Sequence, residues 1–577
     1  MKTKLHYLAF LVITCSASAE QTVSLKVEGI NNKELEENVR IYLSQISDEE
    51  ADGSERYQYR VKETVDKALR AKGYYNTRYH FERMPKTSPD KDQLILQVQL
   101  DKPVQLDERD IKITGQAEQD KDFQKLIEKE VPPKGTVLNH ATYDGFKSSL
   151  EKLAQSKGYL DAHWLYHRLE VYPKEHLADW RLGYASGDRY RYGRITFKDS
   201  QIREEYLRNM LRIKEGDPYY INDLSKLSSD FTSSNWFSSV LVEPEVNEAE
   251  KQVALNVLLH PKKKNDMEIG LGFATDVGPR LQFNWKKPWI NSRGHSFESN
   301  TYISGPEQNI ELGYKIPLKA NPLNYYYQVL GGIEREDQND TKFTGVNVGI
   351  QRFWNHETGW AFSLGVKARY DSFRQGSDKY KTLLLYPTAS MNRTRSDGAR
   401  FPLWGDSQKI TVNWGNKIWA SDVNFYSIKA STSWIRTYFD NHRFYFRAEV
   451  GYLKSNEFER ITPALRYFAG GDMSVRGFGY KKISPKDEDG YLIGASHLAT
   501  ATAEYQYQVY PTWWAALFYD TGLAADSYKA DNLHSGVGVG VRWASPIGAI
   551  KFDIATPVRS PNNDNGIKFY IGLGSEL

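Results

Sequence analysis

The stretch HRFYFRAEVGYLKS, residues 442–455, alternates in polarity along its length and is rich in aromatic side chains. A period of two is typical of a β-strand whose two faces meet different surroundings. The stretch is longer than the ~10 residues with which a tilted strand crosses a bilayer. It therefore predicts a membrane-spanning strand rather than a helix.

The same alternation recurs in sixteen segments between about Asp266 and Leu577, from MEIGLGFAT (267–275) to GIKFYIGLGSEL (566–577). At ~10 residues per strand plus turns, this region fits about 16 strands. A closed barrel satisfies every backbone group within a membrane. A soluble β-sandwich or propeller is the alternative. The export signal, the strand length and an aromatic content of 13% favour an all-β 16-stranded transmembrane barrel.

Residues 1–19 are expected to be a secretory signal peptide, with two early lysines, an apolar core and a small-residue cleavage site, ASA, at 17–19. The only cysteine of the chain, Cys15, lies inside this segment. A lipoprotein anchored at Cys15 is the alternative, although Thr14 is a poor residue before a lipidated cysteine. The mature chain is expected to contain neither disulfides nor reactive thiols.

The first half of the chain repeats one pattern three times: a short strand, two helices and two further strands. The second helices are followed by residues that favour the left-handed conformation and by an aromatic or apolar pair, at Gly73, Gly158 and Asn235. Three small α+β domains without a binding role are one interpretation. A binding array, in which exposed sheet edges pair with an extended peptide, is the other, and the repeats alone leave both open.

These patterns divide the chain into a signal peptide, three repeats and a barrel. The predicted boundaries are 1–19, 20–104, 105–188, 189–262 and 263–577.

Enzyme motifs are absent from the sequence, which has no HExxH, no P-loop, no G-x-S-x-G and no paired cysteines. We therefore predict no catalytic residue, no metal site and no cofactor. The formal net charge of +3 does not call for nucleic acid as a partner.

The combination resembles the bacterial outer-membrane assembly factors, in which tandem periplasmic POTRA domains precede a 16-stranded barrel, as in BamA. Three repeats and several barrel stretches are similar to the TamA group of that family, the barrel subunit of the translocation and assembly module. The similar stretches are TDVGPR, WKKPW, WGDSQ, WIRT, FAGGD, EYQY and FYIGLG. The resemblance implies location in the outer membrane and an insertase that acts through a lateral gate.

The same resemblance implies a TamB-like periplasmic partner anchored in the inner membrane, autotransporter and other β-barrel clients, and contact with membrane lipids. A two-partner secretion transporter remains an alternative. A lipid-transport conduit, a passive porin and a binding scaffold without insertase activity are the others.

The stretch GGDMSVRGFGY, residues 470–480, surrounds Arg476 with glycines and aromatic residues. By itself it is compatible with an exposed loop arginine. The family carries a V-R-G-F/Y motif in a long loop that folds into the barrel, where the arginine meets acidic residues of the inner wall. The resemblance thus implies a loop latch formed by Val475, Arg476, Gly477 and Phe478, with Glu504 and Asp520 as its acidic partners.

The first and last barrel segments both contain glycines, which weaken a strand interior and permit bends. If these terminal strands pair over a short length, the barrel can open sideways there. Small residues that merely face a crowded lumen are the alternative. The predicted gate residues are Gly270, Leu271, Gly272, Phe569, Ile571, Gly572 and Gly574.

Overall fold

A computed structural model describes residues 23–85, 92–274, 277–546 and 548–573. The predicted signal peptide and Gly574 lie outside the described residues. The chain forms two compact units. One comprises residues up to 195 with 213–224 and 244–255, and the other comprises 196–212, 225–243 and 256–577.

The described part of the first half confirms three β-α-α-β-β repeats. The first contains β1 (Ser24–Glu28), α1 (Lys33–Leu43), α2 (Glu55–Arg70), β2 (Arg78–Met84) and β3 (Gln93–Gln99). The second contains β4 (Gln105–Thr114), α3 (Lys121–Glu130), α4 (His140–Ser156), β5 (His163–Tyr172) and β6 (Leu177–Ala185). The third contains β7 (Arg191–Lys198), α5 (Glu204–Arg208), α6 (Ile221–Ser233), β8 (Phe237–Asn247) and β9 (Gln252–Pro261).

Each repeat is a three-stranded sheet with its last strand in the middle, in the orders β1-β3-β2, β4-β6-β5 and β7-β9-β8. In the first two repeats the middle strand runs parallel to the first strand and antiparallel to the second. The helices cover one face of the sheet, as Val61, Val65 and Leu69 do against Leu94 and Leu96. Burial of these apolar side chains supplies the core of the small domain.

Glycines at two helix ends form the joints between successive repeats. Gly73 and Gly158 both have positive φ, at 89° and 82°. The N–H groups of Val104 and Tyr190 donate to the carbonyl oxygens of these glycines, at 2.8 Å in both joints. A Cβ on Gly73 would lie 2.7 Å from the backbone oxygen of Leu138, so a larger residue would push the joint apart.

The second half forms one 16-stranded sheet whose strands follow each other in chain order, as the alternation predicts. Its first eight strands are β10 (Asp266–Ala274), β11 (Gly278–Lys287), β12 (Ser296–Ser304), β13 (Glu307–Pro317), β14 (Tyr325–Gln338), β15 (Thr341–Asn355), β16 (Ala361–Gln375) and β17 (Asp378–Ser396). The other eight are β18 (Trp404–Gly415), β19 (Phe425–Tyr438), β20 (His442–Ser455), β21 (His497–Tyr510), β22 (Trp513–Ala525), β23 (His534–Ser545), β24 (Gly548–Arg559) and β25 (Lys568–Leu573).

Side chains alternate between the outer wall and the interior of this nearly closed barrel. In β15, Val346, Val348 and Ile350 point outward and are exposed, whereas Phe343 and Gln351 are buried. An exposed apolar wall of this kind suits contact with lipid. Within the described ranges, no helix has the length and apolar character to cross a membrane.

In the second compact unit, part of the third repeat contacts turns that join early barrel strands. Trp236 is buried, and its Nε1–H donates to the carbonyl oxygen of Gly294 at 3.0 Å, in the turn between β11 and β12. The N–H of Arg203 donates to the carbonyl oxygen of Ser292, at 2.9 Å, in the same turn. The side-chain N–H of Asn209 donates to the carbonyl oxygen of Lys319 at 2.6 Å, in the turn between β13 and β14. The third repeat therefore holds the first hairpins of the barrel.

Gly294→Ala should disrupt this contact, because the new Cβ would overlap the indole ring of Trp236 and φ at this position is +73°. We expect a loss of about 1–3 kcal/mol of stability, typical of overpacking and backbone strain. Thermal unfolding of the purified protein measures it. Gly305→Ala is the matched control, because its Cβ would meet no atom within 4 Å. Equal unfolding temperatures for the two variants would show that the contact between Trp236 and Gly294 does not stabilise the protein.

Candidate functional site: the inserted loop and the barrel seam

The loop between β20 and β21 folds into the barrel. Because β20 is the eleventh strand and neighbouring strands are antiparallel, this connection lies at the end of the barrel at which β10 ends. Val475 and Phe478 are buried in one apolar cluster with the wall residues Leu384, Tyr386 and Leu453. Phe478 also packs edge-on against His534, with ring centroids 5.1 Å apart. The loop is thus packed against the inner wall.

Arg476 is bound to Asp520 by three hydrogen bonds. Its Nε and Nη2 donate to Oδ2 and Oδ1 of Asp520 at 2.7 and 3.0 Å, and its backbone N–H donates to Oδ2 at 3.0 Å. The guanidinium also lies 3.3 Å from the ring centroid of Phe518. This is the paired, planar recognition of a carboxylate for which arginine is suited.

Two further carboxylates and a second arginine complete the cluster. Nη1 of Arg476 donates to Glu504 Oε2 at 3.0 Å and to Asp553 Oδ2 at 2.9 Å. Arg542 bridges the same two acids from the other side, at 2.9 Å to Glu504 and at 2.5 and 3.1 Å to Asp553. Carboxylates from β21, β22 and β24 thereby meet at one loop arginine, and Arg542 of β23 joins two of them.

All five charged residues of the cluster are at most 5% exposed. Burying a charge away from water is unfavourable unless paired groups and hydrogen bonds replace its hydration. Here each guanidinium has at least two carboxylate partners, and the three carboxylates outnumber the two cations. Loss of either arginine would leave buried negative charges facing each other.

Two glycines allow the loop backbone to lie directly against β23 and β24. Gly477 has φ of +102°, and a Cβ there would lie 3.1 Å from backbone atoms of Thr556 and Pro557. A Cβ on Gly536 would overlap the carbonyl oxygen of Arg476. Gly536 also lies at a register irregularity between β23 and β24. The close approach of the loop to the wall therefore depends on glycine, which has no side chain, at both Gly477 and Gly536.

Tyr570 attaches the last strand, β25, to the same loop. Its hydroxyl accepts from the N–H of Gly477 at 3.0 Å and donates to the carbonyl oxygen of Phe478 at 2.8 Å. Tyr570 is only 4% exposed, so water competes little for these bonds. The latch motif thus contacts β25 through one side chain.

The sheet begins at β10 and ends at β25, and these two strands lie side by side. Among the described residues no hydrogen-bonded ladder joins them. The last ladder, between β24 and β25, runs only from Ala555–Lys568 to Ile550–Leu573. By contrast, the ladder between β15 and β16 runs the full length of both strands. We refer to the junction of β10 and β25 as the seam.

The structure places the predicted gate residues on the two strands of the seam, apart from Gly574. Gly270, Leu271 and Gly272 lie in β10, and Phe569, Ile571 and Gly572 lie in β25. Leu271 and Phe569 point outward, at 79% and 64% exposure. The structure also places Arg476 in contact with its two predicted acidic partners, Glu504 and Asp520.

Sequence reasoning missed four residues of the site, namely Phe518, Arg542, Asp553 and Tyr570. A signal was present for two of them. Asp553 in KFDIA and Arg542 in GVRWA are charged residues at inward positions of alternating strands, where the barrel wall offers little water.

Residues 265–577, more than half of the chain, match the Omp85 superfamily domain. The chain belongs to the Omp85 superfamily. Residues 24–100 of this Omp85 protein match the first POTRA domain of TamA, and residues 190–262 match a POTRA family described as a surface antigen variable number repeat. It is accordingly an outer-membrane protein with periplasmic POTRA domains.

Two curated relatives are named outer membrane protein assembly factor BamA. The one from Nitratidesulfovibrio vulgaris is 23% identical over 412 residues, covering 68% of this chain and 52% of the relative. The one from Neisseria meningitidis serogroup B is 23% identical over 444 residues, covering 65% and 55%. This Omp85 protein spans about half the length of the curated relatives it matches.

Among solved structures, BamA from Haemophilus ducreyi lacking POTRA domains 1–3 has the same fold. It superimposes with a TM-score of 0.67 at 17% identity and covers 82% of this chain and 99% of its own.

Arg476→Ala should destabilise the barrel of this Omp85 protein by about 3–5 kcal/mol, because it leaves buried carboxylates without their shared cation. Thermal unfolding in detergent micelles measures the loss. Lys482→Ala is the matched control, since it removes an exposed cation of the same loop. Equal unfolding of Arg476→Ala and Lys482→Ala would show that the cluster contributes nothing.

Tyr570→Phe should loosen β25 selectively, because it removes one hydroxyl and the two hydrogen bonds that tie the strand to the loop. Faster amide hydrogen exchange in β25, with a nearly unchanged global unfolding temperature, is the expected result. Tyr314→Phe removes a hydroxyl of β13 that is hydrogen-bonded to His295, away from the loop, and serves as the control. Unchanged exchange in β25 would contradict the attachment.

Proposed function

We propose that this Omp85 protein assists the insertion of β-barrel clients into the outer membrane through the seam between β10 and β25. One observation carries the proposal: the two terminal strands lie side by side without a ladder among the described residues. A strand edge of this kind presents backbone N–H and C=O groups that a further strand can pair with.

Pairing at the seam is strongly favoured in lipid. A client strand that enters the membrane must satisfy its backbone groups, and no water is available there to do so. The edge of β10 offers those partners before the client has closed on itself. Burial of apolar client surface then supplies the free energy of insertion.

The loop and its charged cluster support an asymmetric seam. Strands β21, β22, β24 and β25 contact one loop through the side chains of Glu504, Asp520, Asp553 and Tyr570. Strand β23 joins them through Arg542, which is bound to Glu504 and Asp553. In this proposal the loop latch holds the β25 side in place, and separation at the seam takes place mainly by movement of β10.

We further propose that the POTRA domains receive clients, including autotransporters, together with a TamB-like periplasmic partner, as in the translocation and assembly module. The match of residues 24–100 to the first POTRA domain of TamA supports this assignment. Sheet edges such as β2 and β5, which each have one neighbour in their sheets, suit the addition of an extended segment.

A disulfide across the seam should abolish the ability of the protein to accelerate client folding. Leu271→Cys with Phe569→Cys places two thiols on the outer wall of β10 and β25, where oxidation prevents separation. We expect oxidised protein in liposomes to lose its acceleration of the folding of an unfolded autotransporter barrel, and reduction to restore it. Protease-resistant client, followed against time, is the measurement.

Val348→Cys with Ala368→Cys is the matched control, because this pair joins neighbouring positions of the β15–β16 ladder. Oxidation of the control should leave acceleration intact. A seam disulfide that forms fully and yet leaves client folding as fast as before would overturn the proposed gate.

A further inference from the structure

Four adjacent strands, β14 to β17, carry polar side chains in register on the outer wall. Arg335 pairs with Thr344, Thr344 with Ser372, and Ser372 with Lys381. All four side chains are exposed. They form one row across the wall, in which two hydroxyl groups lie between two cations.

The next row toward the strand ends adds further cations. Asp337, Lys342, Arg374 and Lys379 pair in the same way across the four strands. Lys342 forms an ion pair with Asp337 at 2.6 Å. Arg374 and Lys379 form no ion pair with any described residue, and neither do Arg335 and Lys381. We call the two rows without Asp337 the basic patch: Arg335, Lys342, Thr344, Ser372, Arg374, Lys379 and Lys381.

An apolar row lies immediately beneath the basic patch. Ile333, Val346, Tyr370 and Leu383 pair across the same strands and are 40–53% exposed. Two residues further along each strand, the outer wall thus changes from apolar to cationic. Such a change is expected where the hydrocarbon of a membrane ends and its headgroups begin.

The basic patch belongs to the outer leaflet. The POTRA domains precede β10, so odd-numbered members of the sixteen strands run away from the periplasm. β14 is the fifth strand, and the patch lies near its end, by the β14–β15 and β16–β17 turns. The cations therefore face the lipids on the extracellular side.

A depression of about 440 Å³ lies within the patch. It is lined by residues of the patch together with three aromatic residues, namely Lys342, Thr344, Ser372, Arg374, Lys379, Lys381, Phe343, Phe373 and Tyr380. Hydroxyl donors between cations are suited to a tetrahedral oxyanion, because they supply both hydrogen bonds and charge. The volume accommodates a phosphate group.

We propose that the basic patch binds the phosphate groups of a lipid in the outer leaflet, while the acyl chains of that lipid lie along the apolar row. An acidic protein partner is the less suitable occupant, since the patch faces sideways at the boundary of the apolar wall. The site is independent of the seam, which lies on other strands.

The test compares lipid binding by full-length wild-type protein with binding by Lys379→Gln/Lys381→Gln in detergent micelles. The probes are diphosphoryl lipid A, the same lipid freed of phosphate, and inorganic phosphate, with bound lipid counted by native mass spectrometry. The variant should bind diphosphoryl lipid A about tenfold or more weakly, as expected for two lost cations at an anionic headgroup. Phosphate-free lipid should bind both proteins alike.

Lys454→Gln/Lys529→Gln is the matched control, since it removes two exposed lysines from other parts of the extracellular half. It should bind diphosphoryl lipid A like the wild type. Equal binding by the patch variant, or no preference of the wild type for the phosphorylated lipid, would overturn the proposal. Displacement of the lipid by millimolar inorganic phosphate would instead assign the patch to a free anion and would also overturn it.

Discussion

The buried ion pairs of Arg476 are the constraint on which the organisation of the barrel depends. One guanidinium meets carboxylates from three different strands, and Arg542 closes the cluster from a fourth. Such a cluster tolerates little displacement, because a separated partner would remain buried without compensation. The loop therefore has one position against the inner wall, and the strands that supply the acids are held relative to one another.

This constraint makes the two sides of the seam unlike. On one side, β25 contacts the loop through Tyr570 and is paired with β24. On the other side, β10 is paired with β11, whose following turn is held by Trp236 of the third repeat. The proposed client insertion requires that the barrel open at one junction without losing its other ladders, and bracing of this kind would meet that requirement. The lipid site proposed on β14 to β17 lies on strands that opening would not disturb.

Much of the fold could be predicted from the sequence, because both halves follow local rules. Alternation along sixteen segments predicted the strands, and the residues after the second helices, such as Gly73 and Gly158, marked the ends that became joints. The contact of Arg476 with Glu504 and Asp520 was predicted through a family resemblance rather than from periodicity. Asp553 and Arg542 could have been suspected as inward charges on alternating strands, but their contact with Arg476 and Tyr570 could not, because local patterns do not encode where a long loop packs. The basic patch could not be predicted for a related reason. That Arg335 and Lys381 lie in one row can be seen only when the register of four strands is known.

Amide hydrogen exchange, resolved by residue, on the wild-type protein in lipid nanodiscs would show directly whether the seam is weaker than the other junctions of the barrel. If the seam is the weakest junction of the barrel, the amides of β10 that face it exchange at least about tenfold faster than amides of β15 and β16, which have ladders on both sides. The amides of β25 that face β24 should remain protected. Protection of the seam amides equal to that of β15 would mean that β10 and β25 are joined as firmly as any other pair, and it would exclude the seam as a gate.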